Sequence, residues 1–290
     1  MQRNPIKYYG GKQKLSILLL DYIPEHEVFV EGFGGAANLL IRKGPSVSRL
    51  EVYNDINKDV VNLFRVIRNV GLFDEFARRV ALMPYSRDEF DRCLKIYRSE
   101  TWSRLSRTNR ATIYFYLLRS SFSAVMTSWS FSVVGRGMAP RAYLSAVDLL
   151  PELRDRLSAV QFENISFDRL LTTYNSPETF IYLDPPYLGS TRANDDVYKH
   201  EMTKKDHKKL LGLIRQSESK ILLSGYESKL YDKALKDWNR EEVEVTAVGS
   251  RAGRTRGMPE GAKAPTRKEV LWFNFKKPLT QIRSRTAKLV

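Results

Sequence analysis

"TFIYLDPPY", Thr179 to Tyr187, is the stretch that decides the fold. Phe180, Ile181, Tyr182 and Leu183 form an unbroken apolar run, as in a strand buried on both faces of a parallel sheet. The run ends on an acid, two prolines and a tyrosine. Pro185 and Pro186 fix φ and cannot donate to a ladder, so the strand stops with the Asp184 carboxylate at its tip.

The same rhythm recurs on both sides of this segment. "EVFVE" (27–31) reads as a buried strand, followed by a glycine-rich turn and the helix "AANLLIRKG", closed by Gly44. "RLEVYND" (49–55) is the next strand, and "INKDVVNLFRVIRN" has helical periodicity. Strand and helix alternate again through "AVQFENI", "FDRLLTTY", a lysine-rich helix (203–217), "KILLSGY" and "KLYDKALKDW". "EEVEVTAV" and "KEVLWFNF" have no long helix between them, which predicts an antiparallel hairpin at the sheet edge.

Between the two alternating halves the strand rhythm is lost over residues 71–144. "SRDEFDRCLKIYRS" carries a capping-box pattern at Ser86 and Glu89, with Tyr85 and Phe90 spaced as a staple. "RATIYFYLLR" reads as a largely buried helix, and "SSFSAVMTSWSFSVVGRGMAPRAY" as a long exposed loop or hairpin. The expected organisation is a catalytic α/β domain over 1–70 and 145–278, an inserted helical module over 71–144 and a basic tail over 279–290.

The 290-residue chain carries a net charge of +15. Residues 85–141 hold a surplus of six cations and residues 250–290 a surplus of nine, so the remainder balances. A surplus confined to two segments suits a polyanion surface, nucleic acid above all; for the tail "KPLTQIRSRTAKLV" a solvated basic end is the preferred reading. The single cysteine, Cys93, excludes an internal disulfide and suits packing on a helix face. His26, His200 and His207 lack ligand spacing and read as surface or loop residues. "LSILLLDYI" is interrupted by Asp21 and follows a polar leader, so neither a signal peptide nor a membrane span is expected, and the setting reads as cytoplasmic.

Ligands of open α/β sheets bind at the carboxyl ends of the strands. Three candidates fall there: "VEGFGGAAN" (30–38), Asp55 after the second strand, and Asp184. Gly32, Gly34 and Ala37 followed by Asp55 satisfy a loose dinucleotide pattern, which serves a nicotinamide cofactor and S-adenosylmethionine alike, since both present a ribose to an acid. The Asp-Pro-Pro-Tyr segment separates them. An aromatic amine is a poor nucleophile because its lone pair is delocalised into the ring. A carboxylate (Asp184) and a fixed carbonyl (Pro185) aimed at its two N–H bonds favour the tetrahedral nitrogen that attack requires. Pro186 freezes the turn, and Tyr187 offers a face on which a planar base can stack. A base in a duplex must swing out to reach such a pocket.

"DPPY" (184–187), "VEGFGGAAN" (30–38) and "KYYGGKQKL" (7–15) together resemble the Dam-like (D12 class, alpha-group) DNA adenine-N6 methyltransferases. The order of motifs agrees, and the likeness extends through "NDIN", "FENISFDRLL", "ILLSGYESKLYD" and "TRKEVLWFNF". The resemblance implies a Rossmann-like methyltransferase sheet using S-adenosylmethionine on double-stranded DNA, with a possible restriction endonuclease counterpart. By matching position it implies cofactor contacts from Tyr8, Lys12, Glu31, Phe33, Gly34, Asp55, Asp168 and Asp184, and catalysis by Asp184, Pro185, Pro186 and Tyr187. In the insert, similar enzymes carry an Asn-Arg pair and a Gly-Phe/Tyr-Asn-Gly segment. Here Arg119 and Phe122 fit while Ser121, Ser123 and Ala124 differ, and Thr127 stands where a base-reading arginine is expected. The resemblance implies DNA contacts from Arg119, Phe122, Ser123, Thr127 and Arg136, while the altered loop argues against the family's familiar GATC target without giving another. Rival readings are the same chemistry on cytosine N4, an RNA adenine or a protein amide, and a non-catalytic DNA-binding module.

Overall fold

A computed structural model describes residues 3–8, 15–45, 48–131, 138–188, 201–246 and 266–278. Its centre is a seven-stranded sheet: β1 (Val28–Glu31), β2 (Leu50–Asn54), β3 (Val160–Glu163), β4 (Thr179–Leu183), β5 (Lys220–Gly225), β6 (Asn239–Thr246) and β7 (Thr266–Phe273). The spatial order is β3-β2-β1-β4-β5-β7-β6. The first five strands run parallel, and β7 runs antiparallel to both β5 and β6. The expected antiparallel hairpin is present, but β7 is inserted between β5 and β6, so β6 alone forms that edge. All five residues of β4 are buried, as its apolar run requires.

The described helices are α1 (Leu15–Leu19), α2 (Asn38–Lys43), α3 (Lys58–Arg68), α4 (Val70–Leu82), α5 (Arg87–Tyr97), α6 (Arg107–Ser120), α7 (Met138–Asp148), α8 (Leu150–Leu157), α9 (Phe167–Thr173), α10 (Lys204–Gln216) and α11 (Lys229–Ala234). The helices between β2 and β3 assemble around α6, which packs on α3, α4, α5 and α7. Enclosure on so many sides explains why α6 buries all of 111–118 and shows no polar face. Ser86 caps α5 by accepting from Glu89 N–H, as its pattern predicts. Residues 138–143, expected in the loop, instead open α7, and the expected boundary at 144 falls inside that helix.

Two further expectations are corrected. His26, in the expected loop before β1, and His207, within α10, are buried rather than at the surface, because each ring finds polar partners inside. His26 Nδ1 meets Pro24 O and Nε2 meets Ser48 Oγ, both at 2.7 Å, while His207 Nδ1 lies 2.6 Å from Tyr231 OH. His200 lies outside the described residues. Among the described residues no cluster fit for a metal ion occurs. Cys93 is buried under α5, and burial pushes its thiol up to about 12, an inert packing group. No helix among the described residues is long and apolar enough to cross a membrane.

A buried ionic joint fastens helices to the sheet behind the site. Glu51 on β2 accepts from Lys43 Nζ at 2.7 Å and from Arg156 Nη1 at 2.6 Å. Arg156 also donates to Leu40 O, tying α8 to α2. Removing the one anion strands two buried cations, so Glu51→Ala is expected to cost about 3–5 kcal/mol in chemical denaturation. A loss under about 1 kcal/mol would contradict this role.

Candidate active site

Strand order reverses between β1 and β4, which share register as Glu31 with Tyr182, while β1 and β2 share Glu31 with Tyr53. Asp55 and Asp184 each lie two residues beyond those partners. The crevice at the switch point is therefore rimmed by three carboxylates, Glu31, Asp55 and Asp184, in a chain whose net charge is +15.

The turn after β1 is clamped to the end of β2. Gly34 N–H donates to Asn54 O at 2.8 Å, and Asn54 Nδ2 donates to Gly32 O at 2.9 Å. Tyr53 OH donates to Gly35 O at 2.7 Å, and its ring fills the space where a Cβ on Gly34 would sit, 2.2 Å from Cε2. Gly34 is glycine because that ring must lie there. Asp55 is buried; Oδ2 accepts from Gly35 N–H at 2.8 Å and Oδ1 from Asn57 N–H at 2.7 Å, while burial raises its pKa. Each carboxylate oxygen has a second lone pair, so these bonds leave capacity for a ligand hydroxyl.

Glu31 turns toward α2 and accepts from Leu40 N–H at 2.8 Å and Leu39 N–H at 3.4 Å. Burial raises its pKa to about 8, the two N–H donors oppose that shift, and nearby Asp184 adds to it. An acidic side chain thus fills the helix start where a dinucleotide would seat its pyrophosphate, and Gly34 and Gly35 N–H are already used. This arrangement disfavours a pyrophosphate and favours a cation, a distinction the glycine spacing leaves open.

Around the loop, Tyr8 lies with ring carbons 3.0 and 3.3 Å from where a Gly35 Cβ would point, and its OH accepts from Asn57 Nδ2 at 3.1 Å. Asn57 Nδ2 also reaches Tyr114 OH at 3.2 Å on α6, and the Asn57 side chain caps α3. Phe33 stacks on Phe167 with centroids 6.2 Å apart. The neighbouring Asp168 pairs with Lys209 at 2.7 Å, and that hydrogen bond holds its carboxyl down at about 2. Lys12 and Arg136 lie outside the described residues.

At the tip of β4, Asp184 Oδ1 accepts from Ser224 Oγ at 2.9 Å, and Ser224 Oγ lies 2.9 Å from Tyr182 OH. Tyr187 OH is 2.8 Å from Glu269 Oε2 and 3.3 Å from Asp184 Oδ1, and its ring meets Tyr226 at 4.3 Å. Pro185 is buried and Pro186 partly so. Ser224, Tyr226 and Glu269 were not identified from sequence. The first two follow an apolar run, as Asp184 does. Glu269 is an acid on the same strand face as Leu271 and Phe273, a legible anomaly.

The loop after α6 closes at the bridge between Ser121 and Trp129, with Phe122 N–H on Ser128 O at 3.0 Å and Ser130 N–H on Ser120 O at 2.7 Å. Phe122 and Thr127 are exposed and Ser123 half-buried. Arg119 is desolvated, which lowers its pKa to about 10, and its Nη2 donates to Ala142 O on α7, a loop-organising geometry. Arg87 lies over Trp129 at 4.8 Å and over Phe131 at 5.5 Å. Ser123 and Ala124 adopt φ of 53° and 59°, a region where side chains with a Cβ are strained. These are the positions where similar enzymes carry Asn and Gly. Ser123→Asn and Ala124→Gly are each expected to stabilise by about 0.5–1 kcal/mol, read as a raised Tm. A lowered Tm in both would contradict the strain.

A family model described as D12 class N6 adenine-specific DNA methyltransferase matches residues 8–248. The type II methyltransferase M.CviBI of Paramecium bursaria Chlorella virus NC1A is 22% identical over 240 residues, covering 78% of this chain and 85% of its own. The modification methylase StsI of Streptococcus sanguinis is 27% identical over 210 residues, covering 67% of this chain and 30% of its own. The modification methylase LlaI of Lactococcus lactis subsp. lactis is 22% identical over 207 residues, 67% of this chain and 31% of its own. The aligned part of this chain thus spans under a third of the length of the latter two.

Proposed function

The chain belongs to the D12 class N6 adenine-specific DNA methyltransferases, and from that premise we propose that the crevice between β1, β2 and β4 is its catalytic site. The protein is a site-specific DNA methyltransferase acting on the N6 amine of adenine. Methyltransferases of this family use S-adenosylmethionine in general, and the acidic rim is the observation that favours it here. Three carboxylates gathered in a basic chain suit a ligand bearing a sulfonium and an ammonium. When bound, S-adenosylmethionine supplies an electrophilic methyl group.

Phe33 and Phe167 offer aromatic faces for its adenine, with Asp168 beside them. Asp55 holds the glycine turn and has acceptor capacity for the ribose, Tyr8 and Gly34 shape the turn, and Asp184 attracts the cationic end, whose arrival favours the ionised form of Glu31 beside it. Lys12 completes the expected set on sequence grounds.

On the acceptor side, the target adenine swings out of the duplex and stacks on Tyr187. Its amine donates one N–H to the Asp184 carboxylate and the other to the Pro185 carbonyl, which Pro186 holds in place. Both bonds favour the tetrahedral nitrogen, so they strengthen as the new bond forms. The nitrogen becomes acidic at that moment, and the Asp184 carboxylate receives the proton it sheds. Ser224 holds Asp184 in orientation by donating to Oδ1.

The helices inserted between β2 and β3 serve as the target-recognition module. Phe122, exposed on a braced loop, fits a wedge into the base stack, with Ser123 and Thr127 beside it and Arg136 on sequence grounds. Arg119 acts through the loop it organises. Double-stranded DNA is the partner, and Thr127 in place of an arginine favours a target other than GATC. The relatives named as modification methylases support a restriction endonuclease counterpart.

Asp184→Ala is expected to lower N6-methyladenine formation at least about a hundredfold, read by digesting labelled DNA to nucleosides. Near-normal product from that variant would remove Asp184 from the chemistry. Asp55→Ala is expected to weaken cofactor binding about tenfold or more by calorimetry; an unchanged affinity would remove Asp55 from the cofactor site.

A further inference from the structure

Glu269 is an acid inside β7, only 5% exposed, on the same strand face as Leu271 and Phe273. A buried carboxylate is costly unless it is hydrogen-bonded. Glu269 Oε2 lies 2.8 Å from the hydroxyl of Tyr187, the aromatic residue at the turn after β4. That hydroxyl is also 3.3 Å from Asp184 Oδ1. A phenol has one proton to donate and here faces two carboxylates. The shorter and stronger contact is to Glu269.

We propose that Glu269 is a positioning residue that draws the Tyr187 hydroxyl away from Asp184, keeping the Asp184 carboxylate available to the target amine. The proposal rests on the catalytic reading of Asp184 given above. Oδ1 of Asp184 already accepts from Ser224 Oγ at 2.9 Å. A second internal donor on the same oxygen would lower its capacity to accept a substrate N–H and would weaken its pull on the amine as the new bond forms. With the Tyr187 proton committed to Glu269, the phenol is tethered at its far end. Its ring is held against Tyr226, with centroids 4.3 Å apart and planes tilted by 52°, leaving the ring pinned from two sides. Glu269 therefore serves the acceptor half of the site from a strand that lies beyond β5 in the sheet.

This account makes a prediction whose sign a merely structural role would not give. Removing the acceptor with Glu269→Leu frees the Tyr187 hydroxyl to donate to Asp184, and single-turnover methyl transfer should fall by roughly tenfold to a hundredfold. Adding Tyr187→Phe to that variant removes the competing donor and keeps the ring, so part of the lost rate, about fivefold or more, should return. Cofactor affinity by calorimetry should stay within about twofold throughout. Glu269→Gln keeps an acceptor oxygen and fills the same space. It should transfer methyl groups within about fivefold of the parent, which keeps the idea testable if Glu269→Leu does not fold.

All variants would be assayed as full chains on unmethylated DNA with labelled S-adenosylmethionine, beside Asp184→Ala. If Asp184→Ala turns over normally, the catalytic reading itself fails. If Asp184→Ala is inactive, the Glu269 proposal is overturned by any of three results. These are a Glu269→Leu rate that matches the parent, a deeper loss on adding Tyr187→Phe, and a Glu269→Gln rate as low as that of Glu269→Leu. Recovery on adding Tyr187→Phe supports the proposal.

Discussion

Four hydrogen bonds run between the turn after β1 and the end of β2, from Gly34 to Asn54, Asn54 to Gly32, Tyr53 to Gly35 and Gly35 to Asp55. Two of them use the Gly34 and Gly35 N–H donors that a phosphate-binding turn would keep for its ligand. The Glu31 carboxylate takes two more N–H groups at the start of α2. The crevice is in consequence acidic where a dinucleotide site is a donor nest, and the proposed cofactor reading rests on that one reversal. The same clamp carries the insert. Asn57, whose N–H satisfies Asp55, passes its side-chain amide to Tyr8 and Tyr114, and Asp59 takes Trp102 Nε1 at 2.9 Å and Tyr97 OH at 3.2 Å. The end of β2 is thus joined both to the N-terminal segment and to helices α5 and α6.

Much of the fold was legible because β1, β4 and β5 are apolar runs ended by Gly or Asp, and their order of appearance implies crossovers. The position of β7 between β5 and β6 was not legible, since a hairpin read from sequence does not say which of its strands meets the sheet. The opening of α7 was missed because Gly135, Gly137 and Pro140 read as loop signals, although proline is tolerated in a first helical turn. His26 and His207 were misplaced because composition favours exposure, whereas Ser48, Pro24 and Tyr231 supply partners from distant positions.

At the site, Asp184, Asp55 and the glycine turn could be read because backbone geometry demands those residue types locally. The roles of Ser224, Tyr226 and Glu269 could not, even though Glu269 stands out as an acid on an apolar strand face, since their partners on the turn after β4 are met only through the placement of β5 beside β4 and of β7 beside β5. The departures in the insert gain a physical content from the structure. Ser123, Ala124 and Met126 all take positive φ where Asn or Gly would be relaxed, so this loop holds its shape against its own backbone preference. Its bracing by the bridge at Ser121, the Arg119 bond to α7 and the Arg87 stack on Trp129 is what offsets that strain.

The account turns on where the target amine goes, and one structure would test it most directly. The chain would be determined bound to a non-reactive cofactor analogue and a duplex bearing its own methylation site. The account predicts an extrahelical adenine stacked on Tyr187, its N6 within hydrogen-bond reach of the Asp184 carboxylate and the Pro185 carbonyl. An adenine whose N6 is turned away from Asp184, or a base left stacked in the duplex, would contradict it.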